Sequence, residues 1–292
     1  MYLRLSTLAA AVAAALAAGG AQAAMGLPNN TTLGNSSVIF VAIDVNSNIG
    51  LTIDLGLSMS DFTNGTALTS GLSGPLTWDF STNTTTAPVT GTNSWSAAYE
   101  SFKSLQSGND FLWGVVAGDQ ITGANVSPTN VIAGRGLLAT GNATEAQMLD
   151  ASTSAPTGNA LGNLANFMAA SNNFGSHQAA DNGAGTATAS DGSAWLPDLM
   201  GDRFGGHLTW SYLLANGESS TFQWQQQLVA NPIVNQFGNP GAVDTLSSAP
   251  ITFTFDIATN QLVLAPVPEP GTYAMLLAGL GAIGWVARRR RS

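Results

Sequence analysis

Few side chains in this sequence can do chemistry. Its 292 residues include no cysteine, two histidines (His177 and His207), 17 aspartates and glutamates and eight lysines and arginines. Without thiols, disulfide frameworks, thiolate zinc sites, iron–sulfur clusters and cysteine nucleophiles are all excluded. The histidines lack an H-x-x-x-H spacing and no G-x-S-x-G is present, so neither a helix-borne metal pair nor a nucleophile elbow is written here. Carboxylates and aromatic rings gather in one place, where Asp191, Asp198 and Asp202 stand among Trp195 and Trp210. Two carboxylates suffice to cleave a glycosidic bond. An exposed indole beside Asp or Asn can stack on a sugar ring. Trp195, Asp198, Asp202 and Trp210 are therefore the candidate glycan contacts. The competing reading is that a domain of this size buries most of its tryptophans in a core.

Two further patterns are weaker. Asp44-Val45-Asn46-Ser47-Asn48-Ile49-Gly50 places oxygen side chains at alternate positions, as a calcium loop does. An EF-hand loop needs Gly sixth and Glu twelfth, whereas Ile49 and Leu55 occupy those positions, so an Asn/Gly turn between strands is the better account. Gly279-Leu280-Gly281-Ala282-Ile283-Gly284 spells G-x-G-x-x-G, but it follows no strand and lies in an apolar run. No catalytic residue, metal or cofactor is expected, and the protein reads as a non-enzyme.

The elements that must carry these residues have mostly a period of two. Leu51, Ile53, Leu55 and Leu57 alternate with polar or small residues, as do Leu208, Trp210, Tyr212 and Leu214. Phe222 and Trp224, and Ile251, Phe253, Phe255 and Ile257, continue the pattern. Residues 37–45 are more continuously apolar and read as a central strand buried on both faces. Residues 111–117 and 261–265 add two more. Residues 94–105 set Trp95, Tyr99 and Phe102 on one helical stripe, with Ser94 as N-cap, and residues 159–170 repeat the spacing with Leu161, Leu164 and Met168. Residues 171–193, rich in Gly, Asn, Ser and Ala, read as a long exposed loop. The expectation is a mainly-β domain: an antiparallel β-sandwich or jelly roll with one or two short inserted helices.

Charge divides the chain into three. Arg4 precedes an uncharged Ala/Leu-rich run that ends in Ala21-Gln22-Ala23, the layout of a secretory signal peptide (residues 1–23) cut after Ala23. Residues 24–266 form the expected extracytoplasmic domain. From residue 24 to residue 270 only Lys103, Arg135 and Arg203 face all 17 acidic residues, a net charge of −14. A body so acidic repels phosphate backbones, and nucleic acid is excluded as a partner. At the other end, Val267-Pro268-Glu269-Pro270 precede an uncharged apolar stretch over residues 274–287, then Arg288, Arg289, Arg290 and Arg291. The uncharged segment from residue 271 to residue 287, 17 residues long, is at the lower limit for a transmembrane helix, and the arginines set its end on the cytoplasmic side.

This tail resembles the PEP-CTERM protein-sorting signal of Gram-negative bacteria that make exopolysaccharide, a short element also named ice-binding protein C-terminal domain. The resemblance covers residues 267–292. It implies export through the Sec translocon, a transient inner-membrane anchor, and cleavage near Pro268-Glu269-Pro270 by an exosortase, a membrane-embedded protease. An ordinary single-pass anchor behind a proline-rich stalk is the alternative. Val38-Ile39-Phe40-Val41-Ala42, Asp54-Leu55-Gly56 and Leu112-Trp113-Gly114-Val115 also resemble segments of extracellular proteins carrying this tail, whose bodies have no assigned role. The function expected is that of an exported, non-enzymatic cell-surface or matrix protein associated with exopolysaccharide or biofilm matrix. A carbohydrate-binding or carbohydrate-active protein using the Asp191–Trp210 region is the second reading and ice binding the third, although no regular threonine array supports the latter.

Overall fold

A computed structural model describes residues 24–28, 36–62, 74–108, 110–120, 134–141, 158–199, 213–228, 243–245, 251–266, 278–280 and 283. Ala21 and Ala23 of the expected signal peptide, the motif Val267–Pro270 and Arg288 to Arg291 lie outside the described residues.

The apolar segment 37–45 becomes strand β1 (Ser37–Asp44), and its two faces enter two different cores. Val38, Phe40 and Ala42 join one cluster, and Ile39, Val41 and Ile43 join the other. A tight turn, in which Asn48 takes a φ of 54°, leads into β2 (Ile49–Ser58). There Leu51, Ile53, Leu55 and Leu57 face the first core, as the alternation required. The remaining strands are β3 (Leu76–Asp79), β4 (Thr84–Thr85), β5 (Asn93–Ser94), β6 (Leu112–Gln120), β7 (Gly134–Gly141), β8 (Asn182–Ala187), β9 (Leu214–Ala215), β10 (Ser219–Leu228), β11 (Val243–Thr245), β12 (Ile251–Asp256) and β13 (Gln261–Pro266). They pair in the order β4-β3-β13-β12-β10-β7-β6-β1-β2-β8-β5, with β11 added to β10 and β9 to β6. All these pairings are antiparallel except the short parallel contact of β5 with β8.

The class is mainly β, but a single nearly closed, barrel-like sheet replaces the two stacked layers expected from sequence. Period-two alternation specifies which face of a strand is buried; it does not specify whether the sheet splits into layers or curls round on itself. The interior is aromatic. Phe40, Phe80, Tyr99, Phe111, Trp113 and Phe255 meet there with ring centroids 4.8–6.5 Å apart.

Helix α1 (Ser96–Leu105) contributes Tyr99 and Phe102 to this interior and α2 (Gly158–Ser171) covers the outer face of β1 with Leu161, Leu164, Phe167 and Met168. A third, four-residue helix, α3 (Leu196–Leu199), lies beside α2. Among the described residues no helix is long and apolar enough to cross a membrane. Residues 278–280 and Ile283 are helical and exposed, and the rest of the expected apolar helix over 274–287 lies outside the described residues.

Among the described residues, the two ends of the sheet, β4 and β5, are linked by the side chains of Asn83 and Asn93 rather than by a strand ladder. Asn83, at a φ of 58°, accepts from the backbone N–H groups of Trp95 (2.6 Å) and Ser96 (2.8 Å) through Oδ1, and its carbonyl accepts from Asn93 Nδ2 (3.2 Å). Asn83 thus caps α1, a role the sequence reading assigned to Ser94. Trp95 occupies the N-cap position and makes no side-chain cap of its own. Replacing Asn83 by alanine removes both the cap and a residue suited to the left-handed region, with an expected loss of about 2 kcal/mol. Urea unfolding measures that loss, and a cost near zero would show that the seam does not depend on Asn83.

Candidate functional site

The register of β1 against β2 slips between Ser37, opposite Ser58, and Ile39, opposite Asp54. Such a bulge redirects side chains, and this one holds Gly56 at a φ of 73°. A Cβ on Gly56 would stand 2.8 Å from the Asn182 side-chain nitrogen, so the bulge requires glycine. The carboxylate of Asp54 sits beside the bulge. Its Oδ1 accepts from the Gly56 N–H (2.9 Å) and its Oδ2 from the Ser37 hydroxyl (2.8 Å).

Asp54 borders a cavity of about 520 Å³ whose walls include Ala24, Ser37, Ser58, Asp61, Asp181 and Asn182. Every polar wall residue is positioned by a hydrogen bond. Asp61 accepts from the backbone and hydroxyl of Ser58 (2.8 and 3.0 Å), Asp181 accepts from the Thr92 N–H (2.8 Å), and Asn182 donates to the Thr90 carbonyl (3.0 Å). Burial pushes the Asp54 carboxyl up to about 6, against the opposing effect of its hydrogen bonds to Gly56 and Ser37. Three carboxylates around one opening favour a cationic group over an anion. Among the described residues no three aspartate, glutamate or histidine side chains converge closely enough to hold a metal ion.

A second buried titratable group lies nearby. His177 was expected in an exposed loop, yet it is 1% exposed, and neither ring nitrogen meets the geometry of a full hydrogen bond. Burial pushes its imidazole down to about 4, with the Thr52 backbone opposing that shift. The unfolded imidazole takes up a proton near pH 6.5 that the folded one refuses until about 4. Its contribution to stability is therefore complete above 6.5 and lost as pH falls towards 4, a change of roughly 3 kcal/mol. Asp54 acts in the opposite sense, since its raised carboxyl costs stability as pH rises from about 4 to 6. His177→Gln should remove the acid-side loss, and urea midpoints measured from pH 4 to 7 test this. A variant with the same pH dependence as the parent would refute it.

Of the four residues singled out for glycan contact, only Trp195 has a described side chain. Trp195 is buried, with its ring over Gly50, so it presents no free face to a sugar. Asp191 is engaged in a capping box with Thr188, accepting from its N–H (2.7 Å) and hydroxyl (2.9 Å). Asp198 lies on α3 with its side chain outside the described residues, and Asp202, Trp210 and His207 lie outside them entirely. The Asp44 segment is a turn. Asp44 accepts from the Ser47 N–H (2.9 Å) and from the Ser107 N–H (2.6 Å) and hydroxyl (2.9 Å). Burial raises the Asp44 carboxyl, and these hydrogen bonds outweigh it and hold the group below the ordinary carboxylate range.

Sequence reasoning missed the cavity because its walls come from five separated stretches of chain. The available signal was Asp54 in the polar phase of the β2 alternation, two residues before a glycine, a pattern suited to a bulge.

The strand that ends the described body, β13, stops at Pro266, where the tail begins. A family model, the PEP-CTERM protein-sorting motif, matches residues 266–291. The chain therefore carries this motif and is an exported protein sorted by an exosortase. No curated protein and no solved structure matches the chain.

Proposed function

We propose that this is a non-enzymatic surface or extracellular-matrix protein. A signal peptide cut after Ala23 and the Sec translocon export it, residues 274–287 hold it transiently in the inner membrane, and exosortase cleavage near Pro268-Glu269-Pro270 releases it to the exopolysaccharide layer. The observation that carries this reading is the sorting motif following the last strand of the body without an intervening domain.

The surface chemistry supports the polysaccharide part. The chain carries 29 threonines and 23 asparagines against one lysine. On the sheet, exposed hydroxyls stand in pairs: Thr77 with Thr86 (3.3 Å), Thr82 with Thr84 (2.8 Å), and Ser219 with Thr254. Hydroxyls and amides exchange hydrogen bonds with a hydrated glycan at little net cost, and the net negative charge keeps the molecule soluble between glycan chains.

Replacing Pro268, Glu269 and Pro270 together by alanine tests the sorting step. The parent should appear in surface material with a mass ending near Pro268–Pro270. The variant should keep its tail and remain in the membrane fraction. An intact tail on parent protein from the surface would overturn the reading. Co-sedimentation of the processed protein with purified exopolysaccharide, without shortening of the polymer, tests the rest; shortened chains would make it an enzyme.

A further inference from the structure

The segment just after the expected signal cleavage site is docked beside the acidic cavity. Met25 is 2% exposed, and its side chain lies in the cluster beneath α2 with Leu161, Leu164 and Met168. Its N–H donates to Asn172 Oδ1 (2.9 Å), and its carbonyl accepts from Asn172 Nδ2 (3.3 Å). Gly26 donates to the Ser37 hydroxyl (2.9 Å) and accepts from the Ser37 N–H (3.0 Å). The same Ser37 hydroxyl donates to Asp54. Residues 25 and 26 are therefore fixed by four hydrogen bonds and one buried side chain, and this leaves Ala24 exposed in the wall of the cavity with Asp54, Asp61 and Asp181.

We propose that this cavity is the seat of the mature N-terminus: cleavage after Ala23 creates an α-ammonium on Ala24 that pairs with the Asp54 carboxylate. The inference rests on the signal-cleavage part of the function proposed above. The step balances simply. Signal peptidase adds one water across the Ala23–Ala24 amide, leaving a carboxylate on the departing signal and an ammonium on Ala24. An α-ammonium with an ordinary pKa of about 7.7–8.0 is charged at neutral pH, and beside three carboxylates it remains charged to higher pH. In the precursor that nitrogen is a neutral amide, and Asp54 is a buried acid held by neutral donors from Ser37 and Gly56. Processing supplies a positive charge, so the folded body recognises its own maturation. Ala24 comes already docked, so pairing costs little further ordering of the chain.

The test expresses the full-length gene in an exporting Gram-negative host and purifies the product from the surface fraction. Intact mass reads the N-terminus. The pH dependence of α-amine acetylation by trace acetic anhydride, followed by mass spectrometry, reads its titration. The expected mature protein begins at Ala24, and its amine titrates above about 9, at least one unit over the ordinary range. At pH 7.5 it should be acetylated about tenfold more slowly than a free peptide amine. Asp54→Asn should return the amine to the ordinary range. One alanine inserted after Ala24, which moves the amine by up to about 3.6 Å, should do the same without touching the cavity. A protein that begins at Ala24 with an ordinary amine overturns the seat alone. A raised value that both variants leave unchanged also overturns it. A different starting residue overturns the cleavage reading together with the seat.

Discussion

Truncation of Phe255 to alanine is expected to cost on the order of 3–5 kcal/mol, about a third or more of the stability of an ordinary domain. Phe255 is 1% exposed and lies at the middle of the barrel interior. Its ring is 4.8 Å from Phe40, 5.9 Å from Phe80, 5.9 Å from Trp113, 6.0 Å from Phe111 and 6.5 Å from Tyr99, centroid to centroid. Those partners come from β1, the end of β3, β6 and its approach, and α1, so no single element can move inward to fill the space. The loss combines the transfer of the ring, the cavity left behind and several edge-to-face contacts. Urea unfolding followed by tryptophan fluorescence reads it as a lower midpoint with an unchanged slope. Val45→Ala, at a site 64% exposed, should stay within about 0.5 kcal/mol of the parent. A Phe255 effect no larger than that control would show that the aromatic cluster does not hold the barrel.

The second large effect is expected from a single methyl group. Gly183→Ala in β8 places a Cβ 2.5 Å from the Cα of His177 and 2.6 Å from its backbone nitrogen. Backbone cannot swing aside as a long side chain can, so segment and strand must separate. We expect a loss of about 3 kcal/mol, at the upper end for overpacking. Gly175→Ala attacks the same contact from the other side: its Cβ falls on the Ala184 carbonyl, and its φ of 59° is strained for any other residue. Either variant should also expose His177. Amide hydrogen exchange over residues 174–185 then rises well above the parent, and unchanged exchange would refute the close contact.

These two sites also separate what the sequence made legible from what it did not. β12 was readable because Phe253 and Phe255 alternate with Thr252 and Thr254, and that alternation is what a sheet with one buried face demands. β1 was readable as a two-sided strand because its apolar run leaves no polar face. β8, by contrast, reads Asn-Gly-Ala-Gly-Thr-Ala, and its residues were assigned to an exposed loop. Small residues carry no hydrophobic signal, yet they are what lets the chain from Phe174 to His177 lie flat against it. β7, Gly134–Gly141, was missed for a related reason: glycine at three of its eight positions obscures the alternation. Closure of the sheet was not legible at all. Among the described residues it involves Asn83, whose amide reaches α1 and whose carbonyl accepts from Asn93 on β5 at the far end of the strand order, and no local pattern encodes a contact of that kind.

The sites divide in the same way. The sorting tail is a linear sequence motif, so Val267 to Pro270 and the four arginines could be found by inspection. The cavity is a product of folding. Ala24, Asp54 and Asp181 become neighbours only once β1, β2 and β8 are side by side.

The end of β13 also sets a leash length. Pro266 is still paired with Ile251 in the sheet, while the apolar stretch begins at Ala274. Eight fully extended residues reach at most about 29 Å. On the proposed topology the folded barrel therefore cannot drift far from the lipid surface, and the Pro266 end of β13 is turned towards the membrane until the tail is cut. On the proposed cleavage near Pro268-Glu269-Pro270, the scissile region would be two to four residues from a paired strand, and a protease would gain access either by seating itself against the barrel or by peeling back the last residues of β13. Stability of β13 and speed of release would then be opposed: a firmer strand end would keep the protein on the membrane longer.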